Sequence, residues 1–92
     1  MGTMSAVIRK CTDRFFETEL DGEVVLMNAN SGSFHALKGT GLAIWRLMDE
    51  ASDADRLVGL LCERYAIDEA TCRKDVDLFL ARLVEAGFVE RG

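Results

Sequence analysis

The sequence predicts a single α+β domain in which a small antiparallel sheet is followed by three helices. Two observations lead to this prediction. Residues 14–38 contain short alternating or β-branched apolar runs separated by glycine-containing turns, whereas residues 42–86 carry apolar residues at helical spacing. Residues 31–41, which span the junction of these two regions, are typical of a turn, a short strand and the entry to a helix. The 92 residues suffice for one modest core.

Composition excludes several classes of protein. The net charge of -5 argues against a nucleic-acid binder, because phosphate contacts require a basic face. No apolar run approaches the ~20 residues of a membrane span, so no membrane partner is expected. The chain has an odd number of cysteines, and their spacing is not that of metal ligands: Cys11, Cys62 and Cys72. This is typical of reduced thiols in a cytoplasmic protein. We expect residues 1–5 to be disordered and residues 6–92 to form the domain.

The first strands follow from local patterns. Ala6–Lys10 can form a short strand. Residues 14–20 are typical of a half-buried strand, with one face formed by Phe16, Thr18 and Leu20 and the other by Phe15, Glu17 and Glu19. Asp21-Gly22 is a strong two-residue hairpin signal, because glycine tolerates the positive φ that such turns require. Residues 23–29 are apolar on both faces, which predicts a central strand covered on more than one side.

The third main strand and the helices come next. After a turn at residues 30–32, Ser33–Lys38 completes a three-stranded meander. Thr40 is the expected N-cap of a first helix that runs to about Met48, with Trp45 as its packing anchor. A capping box beginning at Ser52 starts a second helix that ends near Tyr65.

The third helix is expected from Glu69 to Ala86, with Asp68 as its N-cap. Gly87 suits the left-handed position after the helix, Phe88 can pack back on Leu83, and a short extended piece can follow. Wound at 100° per residue, the helix has a core arc of Cys72, Val76, Phe79, Leu80, Leu83 and Gly87. Leu78 lies nearly opposite, beside Thr71, Asp75 and Arg82. It is either a lone exposed leucine or the wall of a binding groove.

No constellation in the chain predicts an enzyme. His35 is the only histidine, and no nucleophile motif accompanies it. The acidic residues show no metal-loop pattern, so no metal is expected. Gly39-Thr40-Gly41 lacks the Lys-Ser/Thr of a phosphate loop and the length of a dinucleotide fingerprint, so no cofactor is expected.

Taken in order, these segments resemble the PqqD-like family, also called RiPP recognition elements. The resembling residues are 21–28, 31–37 and 39–48, then Arg56-Leu57-Val58, Leu61, Tyr65, Asp75-Val76, Phe79-Leu80, Leu83 and Gly87-Phe88. Family members often have Asp and Glu-Thr where this chain has Asn28 and Asn30-Ser31. The resemblance implies a winged-helix-like domain of three strands and three helices.

The resemblance also implies a function. Such domains bind the leader segment of a ribosomally made precursor peptide, which adds a strand to the third main strand and lies in a cleft beside the third helix. They then present the precursor to a radical SAM enzyme, as in pyrroloquinoline quinone synthesis, or to a leader peptidase, as in lasso-peptide synthesis. The peptide-binding residues expected here are Ser33, Phe34, His35, Ala36, Leu37, Lys38, Thr71, Asp75, Leu78 and Arg82.

Roles within this set follow from side-chain chemistry. Asp75 or Arg82 can form charge-assisted hydrogen bonds to the leader. Leu78 with Phe34 or Leu37 would offer an apolar pocket for a leader anchor.

Two alternatives remain at this stage. A DNA-binding winged helix would use Arg73, Lys74 and Arg82, which Asp75, Asp77 and Glu85 offset. A module without a peptide ligand would associate through its open edge strand, so a monomer or a weak homodimer is expected.

Overall fold

The computed structural model describes residues 7–91. The predicted disordered residues 1–5 and Ala6 lie outside the described residues, as does Gly92. The strands are β1 (Ile8–Lys10), β2 (Phe15–Leu20), β3 (Glu23–Asn28), β4 (Phe34–Leu37) and β5 (Val89–Arg91). The helices are α1 (Gly39–Leu47), α2 (Ala54–Tyr65) and α3 (Glu69–Ala86). The α+β class and the order of a three-stranded sheet followed by three helices are confirmed.

The main sheet is an antiparallel meander with strand order β2-β3-β4. Asp21 and Gly22 connect its first two strands with φ values of 49° and 81°, which are typical of a tight two-residue hairpin. The two extended pieces at the ends of the domain, β1 and β5, pair with each other as a separate antiparallel ribbon. This pairing ties the start of the domain to its end.

Two of the three helices begin at an aspartate whose side chain accepts a hydrogen bond from a free N–H group of the first turn. α3 matches the prediction: the Asp68 carboxylate accepts from the Thr71 N–H at 3.0 Å. The other two predicted N-caps are wrong. At α1, Gly39 adopts φ 60°, so the chain turns into the helix before Thr40 and the N-cap is Lys38. At α2 the N-cap is Asp53, which accepts from the Arg56 N–H at 2.8 Å.

The C-terminal end of α3 has the predicted geometry. Gly87 adopts φ 87°, and the N–H of Phe88 donates to the carbonyl of Leu83 at 2.9 Å. The N–H of Gly87 donates to Val84 at 3.1 Å, which completes a Schellman motif. This ending directs Phe88 into the core, where it is fully buried.

The core lies between one face of the sheet and the helices. Trp45 is 1% exposed, and Phe15 packs edge-on against both Trp45 and Phe88 with ring centroids 5.6 Å apart in each pair. The Trp45 Nε1–H donates to the Glu17 Oε2 at 3.2 Å. Trp45 is therefore the packing anchor that its size predicted.

The predicted coverage of β2 and β3 needs correction. In β2 only Phe15 is buried, whereas the face with Phe16 and Leu20 is open to solvent. In β3 one face is buried and Met27 on the other is exposed, so this strand is covered on one side only. The reason is that the described helices all contribute to a core on the same side of the sheet.

Candidate functional site

The β4 strand is an edge of the main sheet. It pairs with β3 in the register Leu26↔His35 and Met27↔Phe34, and the Asn28 N–H donates to the Ser33 carbonyl at 2.7 Å. Hydrogen-bonded pairs alternate along an antiparallel ladder, so Ser33, His35 and Leu37 direct their backbone groups toward β3. The N–H and C=O groups of Phe34 and Ala36 therefore point away from the sheet. They form the free edge of β4.

Side chains on β4 alternate between two faces. Leu37 is buried in the core, and the His35 ring packs edge-on against Phe88 with centroids 5.2 Å apart. Phe34 and Ala36 lie on the opposite face, where Phe34 is 67% exposed. The predicted pocket of Leu78 with Phe34 or Leu37 is therefore wrong, because Phe34 faces away from α3 and Leu37 is enclosed.

Two concavities run beside α3 on the inner side of the β4 edge. One, of about 320 Å³, is lined by Thr40, Gly41, Ile44, Asp75, Leu78, Phe79 and Arg82. The other, of about 460 Å³, is lined by Ser33, His35, Arg82, Glu85 and Ala86. They adjoin at Arg82, which lines both. We call this combined surface the β4–α3 groove.

The structure brings most of the predicted site residues together. Side chains of Ser33, His35, Asp75, Leu78 and Arg82 line the groove. Phe34 and Ala36 line neither concavity, and their backbone groups point outward from the β4 edge. The remaining three have other places: Leu37 belongs to the core, Lys38 is the N-cap of α1, and the Thr71 hydroxyl donates to Asp68 Oδ1 at 2.8 Å.

Other groove residues escaped sequence reasoning. Phe79 was assigned to the core arc of α3, yet it is only partly buried and forms part of the groove wall beside Leu78. Gly41 lets α1 approach α3 closely, since a Cβ at this position would lie 3.1 Å from Phe79 Cε1. Only the position of Phe79 at the margin of the core arc indicates that it could line a groove. Nothing in the sequence indicates that Thr40 or Glu85 would line it.

The charges of the groove are available for a ligand. Among residues 7–91, neither Asp75 nor Arg82 takes part in an ion pair. Arg73, on the outer face of α3, is instead held by Asp55 at 3.0 Å and Glu69 at 3.6 Å. This pairing weakens the DNA-binding alternative, which needs Arg73 for phosphates.

A separate cavity of about 520 Å³ lies where the β1–β5 ribbon meets α3. Two of its three guanidinium groups are already engaged, because Arg9 and Arg14 both pair with Glu90. The hydrogen bond from Arg9 lowers the pKa of Glu90 below its usual value. Arg9 and Arg14 are therefore already paired within the domain.

Two kinds of feature are absent from the described part of the chain. No group of three His, Cys, Asp or Glu side chains between residues 7 and 91 is placed to hold a metal ion. No helix in that range combines the length and apolarity needed to cross a membrane.

Comparison with known proteins places the chain in a family. The family model described as coenzyme PQQ synthesis protein D (PqqD) matches residues 23–89. A similar solved structure is "TbiB1 in Complex with the TbiA(beta) Leader Peptide", with 30% identity, a TM-score of 0.78 and coverage of 88% of this chain and 94% of that chain.

A second is "Lasso peptide synthetase B1 complexed with the leader peptide", with 26% identity, a TM-score of 0.77 and coverage of 92% and 99%. Comparison with curated protein sequences gives no match. The family match spans well over half of the chain and agrees with the observed fold. The chain belongs to the PqqD family.

Proposed function

We propose that this protein binds the leader segment of a ribosomally synthesised precursor peptide. The leader adds as a strand to the free edge of β4, and alternate side chains enter the β4–α3 groove. The observation that supports the proposal concerns β4 and the groove beside it. The outward-directed backbone groups of Phe34 and Ala36 alternate along β4 with the groove residues Ser33 and His35, and Asp75 and Arg82 of the groove take part in no ion pair among residues 7–91. Both similar structures described above contain a leader peptide.

Magnitudes indicate how the affinity is divided. Phe34 and Ala36 each offer one donor and one acceptor, and a hydrogen bond contributes about 0.5–1.5 kcal/mol net. Edge pairing alone therefore contributes at most about 6 kcal/mol. Micromolar affinity corresponds to a net binding free energy of about 8 kcal/mol, and the cost of ordering the peptide must be offset in addition. The groove has to supply the remainder. A leucine-sized anchor buried against Leu78, Phe79 and Ile44 adds about 2 kcal/mol.

The proposed role is non-catalytic presentation. The protein holds the leader so that the rest of the precursor reaches a separate processing enzyme. The second similar structure is a lasso peptide synthetase component, which favours a leader peptidase over a radical SAM enzyme as that partner.

The variant Ala36→Pro tests strand addition. Proline removes an N–H that points away from β3, and edge strands tolerate proline at such positions. The Ala36 side chain lies on the face opposite the groove, so no groove contact changes. We expect the affinity for the leader of the precursor encoded beside this gene to fall about tenfold in calorimetric titration.

Ala36→Val is the matched control, because it keeps the N–H and suits a strand. It should bind within about twofold of the unchanged protein, with both variants folded by circular dichroism. Equal affinity of Ala36→Pro and Ala36→Val would refute strand addition at β4.

The free β4 edge also suits pairing with a second copy of the chain. Sedimentation of the same variants separates this candidate from the first. A homodimer that Ala36→Pro dissociates, with no leader affinity in either variant, would favour self-pairing.

A further inference from the structure

The face of the sheet opposite the groove carries a row of large apolar side chains. Phe16 lies directly opposite Met27 on the neighbouring strand, and Met27 lies directly opposite Phe34. Their exposures are 65%, 43% and 67%. We call these three residues the apolar row. Folding alone gives no reason for so much exposed apolar surface on one face.

The row ends at the free edge of β4. The backbone of Phe34 points toward any strand that adds there, while its side chain stands on the face of the apolar row. A residue of the added strand that pairs with Phe34 lies with its Cα about 5.5 Å away and its side chain on the same face. Its two neighbours in the peptide point to the opposite face and enter the groove.

The chemistry around Phe34 favours an apolar neighbour. The adjacent row on this face consists of Thr18, Val25 and Ala36, so it carries no charge. A charged leader side chain would lose hydration beside Phe34 and Met27 without gaining a partner.

We propose that Phe34 is a second specificity-determining residue, which selects a large apolar leader side chain on the face opposite the groove. This inference rests on the proposed strand addition. The apolar row is continuous with the β4 edge at which the strand would add. The leader is then recognised on both faces of the sheet. Its outward side chain becomes the fourth member of the apolar row.

The first test is a pair of matched variants, Phe34→Thr and Phe16→Thr. Both side chains are exposed, and threonine suits a strand, so the fold is retained. The probe is a synthetic peptide of the leader segment encoded beside this gene, titrated by calorimetry against the full chain. We expect Phe34→Thr to weaken binding about fivefold. Phe16→Thr should stay within about twofold, because it lies two strands, or about 10 Å, from β4.

The second test scans the peptide. Each apolar leader residue is replaced by serine, and double-mutant cycles are measured against Phe34→Thr and Leu78→Ala. One leader position should couple to Phe34. Positions that couple to Leu78 should lie an odd number of residues away from it along the pairing segment, because successive side chains alternate between faces.

Amide shifts in ¹⁵N-HSQC spectra separate the two proposals. If the leader shifts the β4 amides but Phe34→Thr leaves the affinity unchanged, the role of Phe34 is refuted and strand addition stands. If the leader binds without shifting the β4 amides, strand addition itself fails. Equal losses from Phe34→Thr and Phe16→Thr would also overturn the inference, since the whole face would then contact the ligand or a second copy.

Discussion

The two faces of the main sheet are both apolar, yet only one is covered. Val24, Leu26 and Leu37 on the inner face are 2%, 0% and 7% exposed, whereas the apolar row on the outer face remains open. Strand alternation determines which side chains share a face, and helix packing determines which face is buried. Apolar residues in this one sheet therefore differ in their surroundings from face to face. The inner face stabilises the fold, and we propose that the edge with the outer face contacts the leader.

The largest expected effect is a difference in the free energy of unfolding between substitutions on the two faces of the sheet. Leu26→Ala should lower the free energy of unfolding by about 3 kcal/mol, because it opens a cavity in the packed inner face. Met27→Ala, at the next residue, should cost less than about 1 kcal/mol, since its side chain is already partly in water. Urea unfolding of both variants measures the difference. Similar losses would show that the outer face is covered in solution.

The second prediction concerns a substitution that weakens leader binding and leaves the fold intact. Leu78 is 57% exposed in the groove, so Leu78→Asp should leave the protein folded and weaken leader binding about tenfold or more. Val84→Asp is the control, because Val84 is an exposed residue of α3 that lines the separate cavity near β5. Calorimetry with the leader peptide compares them. An unchanged affinity for Leu78→Asp would remove Leu78 from the binding surface.

The third prediction concerns the helix that forms the groove wall. Hydrogen bonds from the Thr71 N–H and hydroxyl favour the Asp68 carboxylate and lower its pKa. Because the folded pKa is depressed, this contribution is complete above the unfolded value of about 3.9 and is lost as the pH falls through the folded pKa.

Asp68→Ala should therefore lower the midpoint of thermal unfolding at pH 7, and this difference should shrink as the pH falls below about 3.9. Asp68→Asn should keep most of the cap, because asparagine is also a strong N-cap residue. Identical midpoints for all three proteins at pH 7 would contradict a stabilising role for this cap.

The smallest expected effect lies at the margin of the inner face. Glu17 and Glu19 are neighbours on β2: Glu17 accepts from the buried Trp45 indole, and Glu19 pairs with the exposed Arg46 at 2.8 Å. Glu17→Ala should cost about 1 kcal/mol, because it leaves the indole N–H without its acceptor. Glu19→Ala should cost less than about 0.5 kcal/mol, as exposed ion pairs do. Chemical unfolding measures both losses. A larger loss for Glu19→Ala than for Glu17→Ala would contradict this prediction.

Features set by local chemistry could be predicted from the sequence. The Asp21-Gly22 hairpin, the Asp68 cap and the Gly87–Phe88 ending each depend on a few adjacent residues, and each is present. The cap of α1 could not be predicted, because Gly39 adopts a positive φ that only the joined strand and helix require. The β1–β5 pairing joins residues 81 positions apart, such as Arg9 and Glu90, and no local signal encodes it.

The candidate site also combines features that the sequence predicts with features that it does not. Helical winding placed Asp75, Leu78 and Arg82 on one surface of α3, and the structure puts all three in the groove. Winding could not show that Thr71 is engaged by Asp68, or that Phe34 turns away from α3. The first is a local contact within the first turn of α3, which winding does not describe. The second depends on the rotation of β4 relative to the core, which is a tertiary property.

Hydrogen exchange at individual amides of β4, followed in ¹⁵N-HSQC spectra, tests the central claim most directly. In the free protein the amides of Phe34 and Ala36 should exchange quickly, whereas those of His35 and Leu37 are already paired with β3. Binding of a leader that its own processing enzyme requires should slow Phe34 and Ala36 and leave the other two nearly unchanged. If such a leader binds and the Phe34 and Ala36 amides remain unprotected, recognition by strand addition at β4 is wrong.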